Sequence, residues 1–188
     1  MKLHRALKIS CSLIICGFSW SAFASEASAA SSEQGVWQKH EYGFQYFGFT
    51  TTYSCDGLAS KLRILLIAAG ARADAKSISG ACARGYGSPD KLARAELIFY
   101  TLAPVGNGEN ASPPINGVWR SVAFADRSPR EVALGDCELI EQFRDKVLPM
   151  FTTRSIDSRM TCVPNQLSGS GMNLKFEVFT GAPVAKKK

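Results

Sequence analysis

Apolar and polar positions alternate along this chain in two successive stretches of the same design. Residues 44–53 are aromatic and Thr-rich, which suits a strand, and their inward set shifts phase near Gly48 as a bulge would make it. Asp56 and Gly57 then open a predicted helix over residues 58–69. Leu58, Leu62, Leu65, Leu66 and Ala69 share one stripe at helical spacing, Lys61 and Arg63 fall outside it, and Gly70 is a fitting stop. Strands follow at 75–82 and 94–102, separated by a Gly-rich turn. The second stretch repeats the order: strands at 118–125 and 130–134, a helix at 138–150 with Ile140, Phe143, Val147 and Phe151 on its apolar side, then strands at 154–162 and 173–180. Two β-α-β-β units of this kind predict an α+β domain, with one antiparallel or mixed sheet and both helices on one face.

Individual landmarks recur as well. Gly35-Val36-Trp37 returns as Gly117-Val118-Trp119 at an offset of 82, and Cys55 returns as Cys137 at the same offset. Cys82 and Cys162 are offset by 80, Leu97-Ile98-Phe99 answers to Leu174-Lys175-Phe176, and each unit ends in Ala-Pro, at Ala103-Pro104 and Ala182-Pro183. The shared order at nearly constant offset favours a diverged internal duplication over chance matches. The repeats then span residues 35–104 and 117–183, joined by a linker at 105–116 that is rich in Gly, Asn and Pro.

The N-terminal segment changes the picture of what is being folded. Lys2, Arg5 and Lys8 precede an apolar run over residues 9–20, and Ala22-Phe23-Ala24 places small residues where a signal peptidase reads them. The run is too short, and too interrupted by Ser10, Ser12 and Ser19, for a membrane span of roughly 20 apolar residues. Ile15 before Cys16 disfavours lipidation there. Residues 1–24 are therefore expected to be a cleaved secretory signal, and residues 25–34 a disordered leader. The 164 residues that remain suit one domain. Cleavage takes three of the 22 basic residues and none of the 16 acidic ones, leaving a net charge of +3. Lys186, Lys187 and Lys188, in a basic tail at 184–188, carry that surplus. The body is near neutral and lacks the basic stripe of a nucleic-acid binder. The expected location is the periplasm or the extracellular space, with no transmembrane anchor after cleavage.

Four cysteines survive cleavage: Cys55, Cys82, Cys137 and Cys162. An even number in an exported chain reads as disulfides. No two are close enough for a C-x₂₋₄-C zinc pair or a C-x-x-C redox motif. Of the three connectivities, the local one (Cys55–Cys82 and Cys137–Cys162) follows if each helix crosses between parallel strands, whose C-terminal ends then share one edge of the sheet. No metal or cofactor is expected. His40 is the one histidine left, which argues against multi-His metal sites and His-containing acid–base clusters.

The densest aromatic run holds Tyr42, Phe44, Tyr46, Phe47, Phe49 and Tyr53. Its first four are the candidate ligand-binding residues, lining a groove for an apolar or sugar ligand, although a core-facing strand is the commoner use of such a run. Trp37 and Trp119 read as packing residues. Asp56, Glu131, Asp136 and Glu138 are placed for acid–base chemistry, but carboxylates at the first turn of a helix ordinarily satisfy exposed N–H groups and the positive end of the dipole. No residue is assigned a catalytic role. Asn110-Ala111-Ser112 matches a glycosylation acceptor pattern that occurs often by accident, and Ser168-Gly169-Ser170-Gly171 reads as a hairpin turn.

Tyr53-Ser54-Cys55-Asp56-Gly57-Leu58, followed by Leu65-Leu66-Ile67-Ala68-Ala69-Gly70-Ala71-Arg72 and later by Asp136-Cys137-Glu138-Leu139, resembles uncharacterised secreted proteins of Gram-negative bacteria. The resemblance spans most of the mature chain. It implies export and the cysteine framework, and carries no chemistry. The expectation is a non-enzymatic envelope module that binds a protein or a small envelope ligand. The alternative is a hydrolase or transferase working through paired carboxylates.

Overall fold

Local chemistry sets both helices close to where the apolar stripes predict them. The computed structural model describes residues 33–80, 89, 92–106 and 113–182; the signal segment, Cys82, the Asn110 acceptor pattern and the terminal lysines lie outside the described residues. Helix α1 (Cys55–Ala68) starts at Ser54, whose side chain accepts the Gly57 N–H at 3.1 Å, with Asp56 in its first turn. Leu58, Leu62, Leu65 and Leu66 are fully buried. At its end Gly70 takes φ +107°, and the N–H groups of Gly70 and Ala71 return to the carbonyls of Ile67 and Leu66. That double return is a Schellman stop. Helix α2 (Cys137–Lys146) is shorter than expected, because Pro149 has no N–H for a further turn and restricts Leu148. The chain continues as a single 3₁₀ turn at Leu148–Met150.

Six strands form one antiparallel sheet: β1 (Glu33–Gln45), β2 (Lys76–Ser79), β3 (Arg94–Pro104), β4 (Ile115–Ala125), β5 (Thr153–Thr161) and β6 (Gly171–Gly181), in the order β2-β3-β1-β4-β6-β5. Both helices share one core with one face of this sheet, so the α+β class holds. Three local expectations need correction. The first strand lies at Glu33–Gln45 instead of 44–53, and it takes in Glu33 and Gln34, which had been assigned to a disordered leader. Residues 130–134 form no strand; the Val132 N–H closes a turn on the Pro129 carbonyl, and the Arg127 N–H bonds the Val132 carbonyl.

Counted outward from the middle of the sheet, the two halves have the same strand order, β1-β3-β2 and β4-β6-β5. Each places the strands before and after its helix parallel to one another, with the third strand between them. Their registers agree too. Trp37 lies opposite Leu102 and Tyr42 opposite Leu97; at offsets of 82 and 77, Trp119 lies opposite Phe179 and Phe124 opposite Leu174. Strand pairing joins the halves at the N-terminal ends of β1 and β4, from Glu33 opposite Gly117 to Gly35 opposite Ile115, and the offset of 82 maps these pairs onto themselves.

The main core lies between the sheet and the helices, around Phe44, Leu97, Phe99, Phe124, Leu174 and Phe176. Leu102 and Phe179 fall on the other parity of their strands, on the face without helices among the described residues, and are still buried. They converge over Gly35 and Gly117: a Cβ on Gly35 would lie 2.7 Å from each, and one on Gly117 only 2.2 Å from the Phe179 ring. The repeated Gly-Val-Trp thus has a packing cause. Its glycine clears space, and its tryptophan flanks the cluster under an arginine, Arg72 at 5.8 Å from Trp37 and Arg154 at 4.1 Å from Trp119.

A disulfide joins Cys137 at the start of α2 to Cys162 just after β5, with Cα atoms 5.5 Å apart. Cys55 is disulfide-bonded as well, and its expected partner, Cys82, lies outside the described residues. The pairing of β5 with β6 breaks between Arg154 and Asp157, where Ser155 takes φ +54° and Ile156 is half exposed.

Candidate functional site

Residues 46–54 leave the sheet and fold against α2 and the turns beside it. The Tyr46 N–H still bonds the Ala93 carbonyl at 2.9 Å, but beyond it the backbone of Phe47, Phe49 and Thr50 finds side chains in place of a neighbouring strand. The Phe47 N–H donates to Gln142 Oε1 at 3.1 Å, and the Phe47 carbonyl accepts from Gln142 Nε2 at 2.7 Å. The N–H groups of Phe49 and Thr50 donate to one oxygen of Glu138, Oε2, at 3.0 and 2.9 Å. The Tyr46 hydroxyl, which donates to the Thr51 carbonyl at 2.8 Å, lies 3.4 Å from that same oxygen. Thr51 Oγ1 donates to the Gly135 carbonyl at 2.7 Å, while Thr50 Oγ1 accepts the Asn165 N–H at 3.0 Å. Gly48 is obligatory in this path, since a Cβ there would overlap the Tyr46 hydroxyl at 1.7 Å.

Asp136 completes the anchorage from the second half of the chain. It accepts from the Tyr53 hydroxyl, from Lys61 Nζ at 2.9 Å and from the Ala133 N–H at 2.8 Å. Burial, reinforced by the neighbouring carboxylates, raises the pKa of both Tyr46 and Tyr53 well above the ordinary phenol value, so both remain protonated donors. Asp136 and Glu138 are themselves buried, at 4% and 8% exposure. Their acceptor capacity goes to groups of the protein. Glu131 is exposed and contributes only its carbonyl, to Lys61 Nζ at 2.5 Å; Asp56 sits in the first turn of α1.

The candidate aromatics divide sharply. Phe44 and Tyr46 belong to the core, at 1% and 0% exposure, and Tyr42 is partly buried against it. Of the four candidate contacts, Phe47 is the one presented to solvent, at 48% exposure. Its partner is Phe49, 47% exposed, with ring centroids 4.8 Å apart in an edge-to-face pair. Phe49 belongs to the same aromatic run. Burial alternates without a break from Phe44 to Phe49, so the expected phase shift at Gly48 does not occur, and plain two-residue spacing puts both rings on the exposed side.

Leu134 and Leu167 are also exposed, on the turns to which Thr51 and Thr50 are bonded. Gly135 lies between them and this segment: a Cβ there would be 3.7 Å from Leu167 Cδ2 and 2.8 Å from Thr51 Oγ1. Beyond them opens a cleft of about 590 Å³ whose walls include Asp126, Arg127, Arg130, Val132, Leu134 and Leu167. The Cys137–Cys162 bridge ties the residue beside Glu138 to the residue beside Val163, bracing both sides of this segment.

Comparison of the chain with family models, with curated proteins and with solved structures finds no match in any of the three. Among the described residues no helix is long and apolar enough to cross a membrane, and no group of three or more His, Cys, Asp or Glu is placed to hold a metal ion. Fold and site together define a disulfide-bonded α+β scaffold holding a fixed, exposed aromatic pair.

Proposed function

We propose that the chain is an exported, non-enzymatic binding module, built from two copies of one β-α-β-β unit and braced by Cys55–Cys82 and Cys137–Cys162. It recognises a peptide or protein ligand with apolar side chains through the tip formed by Phe47, Phe49, Leu134 and Leu167. One observation carries the reading: the backbone of the exposed Phe47–Phe49 pair is clamped on both sides by α2, through Gln142 and the buried Glu138. Folding gains little from fixing two solvent-facing rings, whereas binding gains from rigid aromatic anchors because their ordering cost is already met. The signal-like residues 1–24 and the Cys137–Cys162 bridge support export. The matched strand orders and registers support duplication. A carboxylate-dependent hydrolase or transferase has less support, since Asp136 and Glu138 are buried and engaged by protein donors.

The test compares wild type with the double variant Phe47→Ser/Phe49→Ser in crosslinked capture from envelope extract, with melting temperature as the control for folding. A partner retained by wild type and lost by an equally stable variant supports the reading. Equal recovery by both, or substrate turnover that disappears in Glu138→Gln, overturns it.

A further inference from the structure

We propose that the cleft behind the tip binds a short free peptide with apolar side chains, held at both of its charged ends. The proposal rests on the binding-module reading and adds the ligand class. The cleft is an open depression of about 590 Å³. Its lining includes the exposed Leu134 and Leu167 together with Asp126, Arg127 and Arg130. Elsewhere among the described residues Arg72, Arg144, Arg154 and Arg159 each have a carboxylate partner, Arg63 and Arg120 bond backbone carbonyls, and Arg94 forms no ion pair. Among the described residues Asp126, Arg127 and Arg130 form no ion pair, although they line one cleft. Two guanidinium groups, one carboxylate and two exposed leucines complement a zwitterion with an apolar side chain. The ligand's α-carboxylate goes to Arg127 and Arg130, its ammonium to Asp126, and its side chains to Leu134 and Leu167.

The backbone supplies a second argument. Arg127 sits at φ +58°, a left-handed conformation that favours glycine or asparagine, and its N–H is fixed to the Val132 carbonyl at 2.8 Å. Keeping a long cationic side chain at such a position is the kind of local cost that accompanies a functional requirement.

Calorimetric titration of the mature protein with Leu-Phe, N-acetyl-Leu-Phe and Leu-Phe-amide tests the proposal. Leu-Phe should bind, and blocking either end should weaken binding at least about tenfold, the loss expected of one charge-assisted contact. Arg127→Gly and Arg130→Gln should each abolish the preference for the free carboxylate, and Asp126→Asn the preference for the free ammonium. Arg127→Gly relieves the backbone, so its loss of discrimination cannot be ascribed to unfolding. Equal binding of all three peptides, or binding of none, overturns the proposal. If partner capture through Phe47 and Phe49 persists in that event, this inference falls alone; if capture fails while Leu-Phe binds with the stated discrimination, the tip reading falls and the cleft stands.

Discussion

Glu138 should be the residue on which the shape of the tip depends most. Replacing it by alanine removes the acceptor for the Phe49 and Thr50 N–H groups, bonded at 3.0 and 2.9 Å. Each donor left without a partner costs about 1–3 kcal/mol. The Tyr46 hydroxyl keeps its bond to the Thr51 carbonyl and adds little. The expected loss for Glu138→Ala is therefore about 4 kcal/mol, a large share of the roughly 5–15 kcal/mol that holds a domain together. Glu138→Gln keeps an acceptor of the same reach and forfeits only the charge assistance, so about 2 kcal/mol should be lost. Urea denaturation measures both values, with an unchanged m-value confirming that the folded state is comparable. Amide hydrogen exchange should show Phe49 and Thr50 losing protection in Glu138→Ala ahead of residues in α1. If Glu138→Ala falls within about 1 kcal/mol of wild type, the clamp is not what orders residues 46–54, and the case for pre-organised anchors goes with it.

Other perturbations reach different parts of the molecule. Gly35→Ala drives a methyl into Leu102 and Phe179 at 2.7 Å and should lower stability by about 1–3 kcal/mol, seen as a reduced denaturation midpoint. His40, bonded to Thr101 Oγ1 at 2.8 Å, has its pKa lowered from 6.5 by burial. The unfolded chain therefore takes up the proton first as pH falls. The stability contributed by neutral His40 is complete above about pH 6.5 and is lost as pH drops through the lower folded value, a dependence that His40→Gln should flatten in denaturation midpoints measured across that range. Reducing the Cys137–Cys162 bridge, whose cysteines are 25 positions apart, should cost about 3 kcal/mol, and non-reducing peptide mapping should find Cys55 joined to Cys82. Arg127→Gly should raise the melting temperature slightly, by relieving about 1 kcal/mol of left-handed strain.

How much of this was legible beforehand depended on whether the signal was periodic. The stripe Leu58–Leu62–Leu65–Leu66 and its Gly70 stop announced α1 within a few residues, since helical burial and capping are local properties. The recurring Gly-Val-Trp announced a shared register, and its reason emerged only with Leu102 and Phe179 above the glycines, contributed by strands far along the chain. The aromatic run misled because alternation was counted without a partner. Residues 46–53 are apolar enough for a strand, but their N–H groups bond Glu138 and Gln142, about 90 positions away, and no local pattern reports such acceptors. The Glu138 carboxylate accepts from backbone donors of a distant loop, where a first-turn carboxylate is expected to serve its own helix. Arg127, Arg130 and Leu167 come together through turns, which leave no periodic signal in the sequence.

The interruption in β5 bears on how such a sheet behaves at high concentration. Among the described residues β2 and β5 are the outermost strands of the sheet order, while β1 and β4 meet only over Glu33–Gly35 and Ile115–Gly117. β2 offers four residues, Lys76–Ser79, too few to template a docked strand. β5 is longer, but its ladder breaks at Ser155 and Ile156, so an incoming chain would lose register at the kink. A short border on one side and a crooked one on the other are recognised defences against edge-to-edge growth. Among the described residues, the two outermost strands thereby resist adding copies of the chain strand by strand into a fibre.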